Sequence, residues 1–366
     1  MTAVPGPTPR ADGFRMPGEQ EPQQAVLMAW PQRTDNWRNN AAPAQQAFTA
    51  VAAAIAEETP VIMCASADQL ELARRLLPAS VSVVEIPSND SWMRDIGPSY
   101  VVNDAGEVRG IDWQFNAWGG QVNGLYDDWS DDDALAGRVL AMRGEAGYRA
   151  PLILEGGSIH VDGEGTCITT AECLLHPGRN PGMDKAQIGA LLCEYLNVSK
   201  VIWLPRGLYN DETDGHVDNI LHVVGPAEVV LTWCDDPGDP VYDICRECLA
   251  TLKSEKDARG RRFTVHKLPL PGPLYVTEEE AAGVEQSPGM ERCAGERLAA
   301  SYANFLITNQ RVVFPLLDPV HDENVRNIFQ DLFPGREIIG VPGHEIVLGG
   351  GNIHCITQQI PAAGKG

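Results

Sequence analysis

Apolar residues fall in short runs divided by glycines, prolines and charged residues, and the spacing within the runs changes along the chain. "QQAVLMAWP" (23–31), "VIMCAS" (61–66) and "VSVVEIP" (81–87) are compact apolar runs and predict strands. Between them, "APAQQAFTAVAAAIAEETP" (42–60) and "ADQLELARRLLPAS" (67–80) carry apolar residues at helical spacing. The alternation resumes with helix "GMDKAQIGALLCEYLNV" (182–198), strand "KVIWLP" (200–205), helix "NVRNIFQDLFPG" (324–335) and strand "REIIGVP" (336–342). "YDICRECLATLKS" (242–254) reads as a further helix, with Ile244, Cys248 and Leu252 spaced by four. Alternating strands and helices assign the chain to the α/β class.

"GTCITTAECLLHP" from Gly165 and "NFLITNQRVVFPLLD" from Asn304 each show an apolar run, a polar turn and a second apolar run, which predicts hairpins. "LILEGGSIHVDGEGTCITT" and "IVLGGGNIHCITQQI" share an apolar run, a glycine pair and Ile-His two residues on, about 190 residues apart. This partial self-similarity predicts repeated βαβ-like units packed around a centre, with an axial channel where polar segments converge. No Gly/Ser- or Pro-rich spacer interrupts residues 15–361, so a single domain is expected there, with tails at 1–14 and 362–366.

Composition narrows the partners. Fifty acidic residues against 28 basic ones leave a net charge of -22, which excludes the basic surface that duplex nucleic acid requires. "ARGRR" (258–262) is a small basic cluster and reads as a solvated turn. No apolar run is long enough for a membrane span, and "MTAVPGPTPRADGF" lacks the apolar segment of a secretion signal. A cytoplasmic location with nine reduced cysteines is the expectation. Cys245 and Cys248 form a C-x-x-C without the second pair that structural zinc needs.

Four polar segments hold the candidate chemistry. "NDSWMRDIGP" carries Trp92, Arg94 and Asp95; "LEGGSIHVDGEG" carries Glu155, His160 and Asp162; "LYNDETDGHVDN" carries Glu212, His216 and Asp218; "GGGNIHCIT" carries Gly350, Gly351, His354 and Cys355. Read as a strand, the first sends Arg94 and Asp95 to opposite faces. His216-x-Asp218 reads as a strand start with both side chains on one face, and His160-x-Asp162 repeats the spacing. Two such pairs leave a divalent metal centre open as an alternative. Cysteine, histidine and several carboxylates suggest different chemistry. Carboxylates beside a nucleophilic thiol hinder its ionisation, unless the substrate is itself a cation. A guanidinium fits, because its fork of N–H donors matches carboxylates bidentately.

With these residues in view, the chain resembles the agmatine deiminase family of guanidine-modifying enzymes. The resemblance runs from about Gly18 to Pro361 through "MAWPQRTDNWR", "NDSWMRDIGP", "FNAWGG", "LEGGSIHVDGEGTCITT", "HPGRNP", "VIWLPRGLYNDETDGHVDN" and "GGGNIHCITQQIP". It implies a pseudo-fivefold α/β propeller of ββαβ-type units with the active site in its axial channel. No metal and no organic cofactor are implied. The family's nucleophile falls on Cys355 and its acid/base on His216. Its guanidinium-binding carboxylates fall on Asp95 and Asp218, and Glu155 stands between guanidinium and histidine. Glu212 falls near the far amine of the substrate and Trp92 on an aromatic wall. His160, Asp162, Gly350 and Gly351 become supporting residues. The implied reaction hydrolyses agmatine to N-carbamoylputrescine and ammonia through a covalent thiouronium-type adduct, on a route to putrescine and polyamines. A small cationic guanidino compound is the implied partner, without nucleic acid or membrane, and a homodimer is the expected assembly. Arginine, peptidyl-arginine or a longer guanidinoalkylamine is the alternative substrate. Two departures from the family wording, "GEQEPQQAVLMAWP" and His222, bear on specificity.

Overall fold

The apolar runs pair into five open sheets in a computed structural model that describes residues 7–363. In the first, Gln358–Pro361 runs antiparallel to Gln23–Ala29, followed in parallel by Val61–Ala65 and Val81–Glu85. The other four repeat one plan, a first strand antiparallel to a second and a third parallel to the second. They are Ser99–Val102, Val108–Gln114 and Gly147–Ile153; Ile159–Val161, Thr166–Thr170 and Lys200–Leu204; Leu221–Gly225, Glu228–Trp233 and Thr264–Pro269; and Leu306–Ile307, Arg311–Leu316 and Glu337–Pro342. Helical crossovers make the parallel connections, as parallel pairing requires.

This topology overturns the expected pseudo-fivefold propeller. The fold is α/β, and the local unit recurs. Its ladders, however, form separate mixed sheets of three or four strands, and among the described residues no ladder closes or curls them together. A repeated unit specifies pairing inside each sheet and carries no information on closure between sheets, which is why the sequence misled here.

Helices follow their apolar stripes. Ala42–Ala56 opens with Pro43, where a missing N–H costs nothing, and buries Phe48, Val51, Ala52 and Ile55. Val241–Ser254 buries Ile244, Cys245, Cys248 and Leu252, so both cysteines of the C-x-x-C face the core. The hairpin expected at Leu306–Leu316 forms. The one expected from Gly165 does not: strand Thr166–Thr170 runs into a helical turn, Ala171–Leu174, capped by the Thr170 hydroxyl, which accepts from Cys173 N at 3.2 Å.

Phe14 is fully buried and packs edge-on against Tyr148 at 6.3 Å, so the end of the expected N-terminal tail lies against the body. Residues 1–6 and 364–366 of the two expected tails lie outside the described residues. No helix among the described residues is long and apolar enough to cross a membrane.

Candidate active site

Cys355 lies in the turn between helix His344–Leu348 and strand Gln358–Pro361, and its carbonyl accepts from Arg94 N at 3.0 Å. The preceding glycines are required by contact. A Cβ on Gly351 would stand 2.4 Å from the Trp92 ring, and Gly350 has a φ of 110° with Glu212 behind it.

The segments expected as strand ends are single helical turns. Asp95 lies in Met93–Ile96, and His216 immediately precedes Val217–Ile220, which contains Asp218. His216 and Asp218 therefore do not share a strand face; the strand begins only at Leu221. Four residues are too few to display a helical period, which hid both turns. Arg94 and Asp95 still diverge. Arg94 donates to Gln359 Oε1 at 2.8 Å, while Asp95 accepts from Gly157 N and Trp118 Nε1, each at 2.9 Å.

Glu155 follows strand Gly147–Ile153 and leads into the turn Gly156–Ser158, as its place before two glycines suggests. Gly157 is the point on which the site converges. A Cβ there would lie 2.6 Å from His216 Nδ1, 2.9 Å from Asp95 Oδ1 and 3.0 Å from Asp218 Oδ2. His216 Nε2 is 3.5 Å from Glu155 Oε2, and its Nδ1 is 3.9 Å from Asp95 Oδ2. Cys355 Sγ lies 3.7 Å from Asp218 Oδ2 and 3.1 Å from Asn304 Nδ2. Trp92, Asp95, Trp118, Glu212, Met290 and Cys355 line a narrow cavity above this floor. Trp92 is fixed by Asp90, which accepts from its indole N–H at 3.1 Å.

Several partners escaped the sequence reading. Arg179 is buried and donates to Glu155 Oε1 at 2.8 Å and Asp214 Oδ2 at 2.6 Å. Asn304 holds the Cys355 thiol, and Arg292 pairs with Glu212 at 2.6 Å. Cys173, Glu155 and His216 form a cluster whose ligand-type atoms lie within 4.8 Å of one another. Arg179 and Trp118 stand inside recognisable wording, "HPGRNP" and "FNAWGG"; Asn304, Cys173 and Arg292 carried no local signal. Of the four supporting residues, the two glycines lie in the loop before Cys355, and Asp162 is occupied by its own turn, accepting from Glu164 N and Thr166 N at 2.8 and 2.9 Å. His160 joins Glu19, His222 and His354 in a second cluster of metal-ligand type, also within 4.8 Å.

Charge is arranged unevenly. Burial pushes Asp95 up to about 6 against the pull of His216, with Asp218 and Glu155 adding to the push. Glu155 is also penalised by burial, but Arg179 and His216 outweigh it and hold the carboxyl below its ordinary range. Burial opposes a charged His216, yet Asp95, Cys173 and Glu155 together raise its pKa well above the usual imidazole value. Burial, then Asp218 and Asp95, push the Cys355 thiol well up. A base, a thiol and three carboxylates in one enclosed place can do nucleophilic and acid–base chemistry on a cation.

A profile of the Porphyromonas-type peptidyl-arginine deiminase family matches residues 15–361. A candidate agmatine deiminase of Photobacterium profundum is 58% identical over 361 residues, 99% of both chains. Among solved structures, the agmatine deiminase of Enterococcus faecalis superposes with a TM-score of 0.96 at 45% identity, covering 100% of each chain. A substrate-bound Cys-to-Ser variant of the C. jejuni agmatine deiminase gives 0.83 at 25% identity, covering 96% of this chain and 97% of that one. The chain belongs to this deiminase family, within the agmatine deiminase group of guanidine-modifying enzymes.

Proposed function

We propose that this protein is an agmatine deiminase, hydrolysing agmatine to N-carbamoylputrescine and ammonia with Cys355 as nucleophile. One observation carries the reading. Glu155 Oε2, 3.5 Å from His216 Nε2, and Asp218 Oδ1, in the carboxylate beside Cys355, are buried acceptors that receive no hydrogen bond. Orphaned carboxylate oxygens are costly, and a guanidinium supplies the N–H donors they lack. The activity of the closely similar E. faecalis enzyme supports the same reading.

Asp95, Asp218 and Glu155 hold the guanidinium with its carbon over the sulfur. The bound cation offsets the carboxylates' effect on the thiol, so Cys355 ionises where it is needed. The thiolate attacks the guanidinium carbon, forming the C–S bond. His216 gives its proton to the departing nitrogen, the C–N bond breaks and ammonia leaves. His216 then takes a proton from water, the hydroxide attacks the thiouronium carbon, and the C–S bond breaks to release the ureido product. Cys173 sits against His216 but is fully buried and absent from the cavity wall, which favours Cys355 as the attacking thiol.

Residues 15–361 form the proposed catalytic unit, a reading supported by the span of the family match. Nine unpaired thiols favour a reducing compartment, the cytoplasm. Ammonia release from agmatine and arginine, assayed in parallel, tests the activity: turnover of agmatine supports it, and turnover of arginine alone contradicts it.

A further inference from the structure

Beneath Asp218 lies a buried polar cluster that the proposed reaction does not use. Glu19 Oε1 accepts from Ile307 N at 2.8 Å, and its Oε2 lies 2.9 Å from His354 Nε2. The other nitrogen of that ring, Nδ1, lies 2.8 Å from Asp218 Oδ2, the same oxygen that faces the Cys355 thiol at 3.7 Å. Glu19, His354, Asp218 and Cys355 thus form one continuous chain, buried throughout.

Hydrogen-bond logic sets the state of His354. A carboxylate only accepts, so a ring with a carboxylate oxygen at each nitrogen must donate from both and is an imidazolium. Arg94, itself buried, stands 4.0 Å from Glu19 Oε2 and also donates to the His354 carbonyl at 3.3 Å. Two carboxylates, one imidazolium and one guanidinium sum to zero charge. His222 turns Nδ1 to the Ala303 carbonyl at 3.1 Å and keeps Nε2 3.6 Å from Glu19 Oε1, beyond hydrogen-bond reach, and the His160 ring stacks on His354 at 5.1 Å. Three imidazoles and a carboxylate are also the donors of a zinc site. A dication here would have to displace the His354 proton and sit close to Arg94, against a cluster already neutral.

We propose that His354, bridging Glu19 and Asp218, is a positioning residue that occupies one oxygen of Asp218 and so reserves the other for the guanidinium. Asp218 Oδ1 is the oxygen left without a partner. The substrate's part in this rests on the deiminase reading; the state of His354 does not. The electrostatics agree. Burial and Arg94 oppose a charged His354, but Glu19 and Asp218 outweigh them and raise it above the ordinary imidazole range. Burial pushes His160 and His222 the other way, against the pull of Glu19, and so favours their neutral forms.

Two measurements separate this role from mere packing. Nitrogen-15 NMR of histidine-labelled protein without substrate should show both His354 nitrogens protonated at about pH 8, well above the ordinary histidine range. Glu19→Gln preserves shape and removes one of the two carboxylates, so His354 should lose its proton at lower pH. The alkaline limb of kcat/KM for agmatine should then move down by about one pH unit or more, and the rate at about pH 8 should fall about tenfold or more, in a variant that still folds cooperatively but melts lower because buried His354 and Arg94 lose a counter-charge. His354→Leu should cost more; should it fail to fold, Glu19→Gln and the wild-type spectrum still decide. A wild type inactive on agmatine would count against the deiminase reading and leave the NMR test standing. A neutral His354 in the wild-type spectrum would overturn the proposal. So would Glu19→Gln with an unmoved limb and a rate within about twofold. Stoichiometric zinc in the purified wild type that is lost in Glu19→Gln would overturn it in favour of a metal site.

Discussion

Arg292 Nη1 lies 2.6 Å from Glu212 Oε1 and its Nη2 lies 3.1 Å from Oε2, so the acid expected to read the far amine of the substrate is already half of an ion pair. Arg292 also donates to the carbonyls of Leu348 and Gly349, at the start of the glycine loop that leads to Cys355. Glu212 therefore faces the cavity and anchors that loop at once. Glu212→Gln should lower the melting temperature, because buried Arg292 loses its counter-charge. It should also lower the kcat/KM ratio of agmatine over arginine, by about three- to tenfold, since Arg292 already offsets part of the charge an ammonium would feel. Parallel kinetics and thermal melts check both. An unchanged ratio would move recognition of the amine elsewhere in the cavity.

Asp95 should set the acid limb of activity. Its carboxyl, pushed up to about 6 by burial and then by Asp218 and Glu155 against His216, is neutral below that value and charged above it. The guanidinium thus loses one of its anions as pH falls through about 6, so kcat/KM for agmatine should decline there and not near 4. Asp95→Asn should remove most activity at every pH. A wild-type profile still flat at about pH 5 would exclude this role for Asp95.

Ionisation of Cys355 should depend on the substrate's charge. Burial, Asp218 and Asp95 keep the thiol protonated in the empty site, against the help of the Asn352 N–H and Asn304. A cation placed among the same carboxylates reverses the balance. Titration with a guanidinium-bearing competitor that is not turned over should raise the ultraviolet thiolate absorbance and release about one proton per site. The Cys355→Ser variant should show neither signal. Thiolate absorbance already maximal before addition would contradict the account.

His216 should matter to rate more than to binding. Its Nε2 has no partner in the protein and lies 3.5 Å from Glu155 Oε2. His216→Ala should lower kcat by about 10²–10⁴ with a smaller change in affinity for the competitor. Equal losses in both would make it a binding residue only.

The sequence disclosed elements whose apolar positions repeat, such as Ala42–Ala56 and Lys185–Leu196, and missed helix Ser130–Arg143, whose apolar stripe is interrupted, and strands Val108–Gln114, Glu228–Trp233 and Thr264–Pro269. It did not disclose the single turns at Met93–Ile96, Ala171–Leu174 and Val217–Ile220, where four residues leave no periodic trace. The residues that the fold brings together around Gly157 were legible as candidates where glycines and acids crowd a strand end, as at Glu155, and through the wording shared with the family. Their partners were not. Glu19 meets His354 across 335 positions, and Asn304 meets Cys355 across 51, so only the folded chain shows those contacts. The arrangement of the sheets was misread for the same reason: repetition is written in the chain, and closure is not.

Peptide mass spectrometry of enzyme quenched during turnover tests the central claim most directly, because two buried cysteines, Cys355 and Cys173, lie beside the clustered carboxylates and His216. The account predicts an adduct equal in mass to agmatine less ammonia on the peptide holding Cys355. It further predicts that this adduct is absent in Cys355→Ser, which is inactive, and present in Cys173→Ala, which retains turnover. An adduct on Cys173, or full turnover by Cys355→Ser, would contradict it.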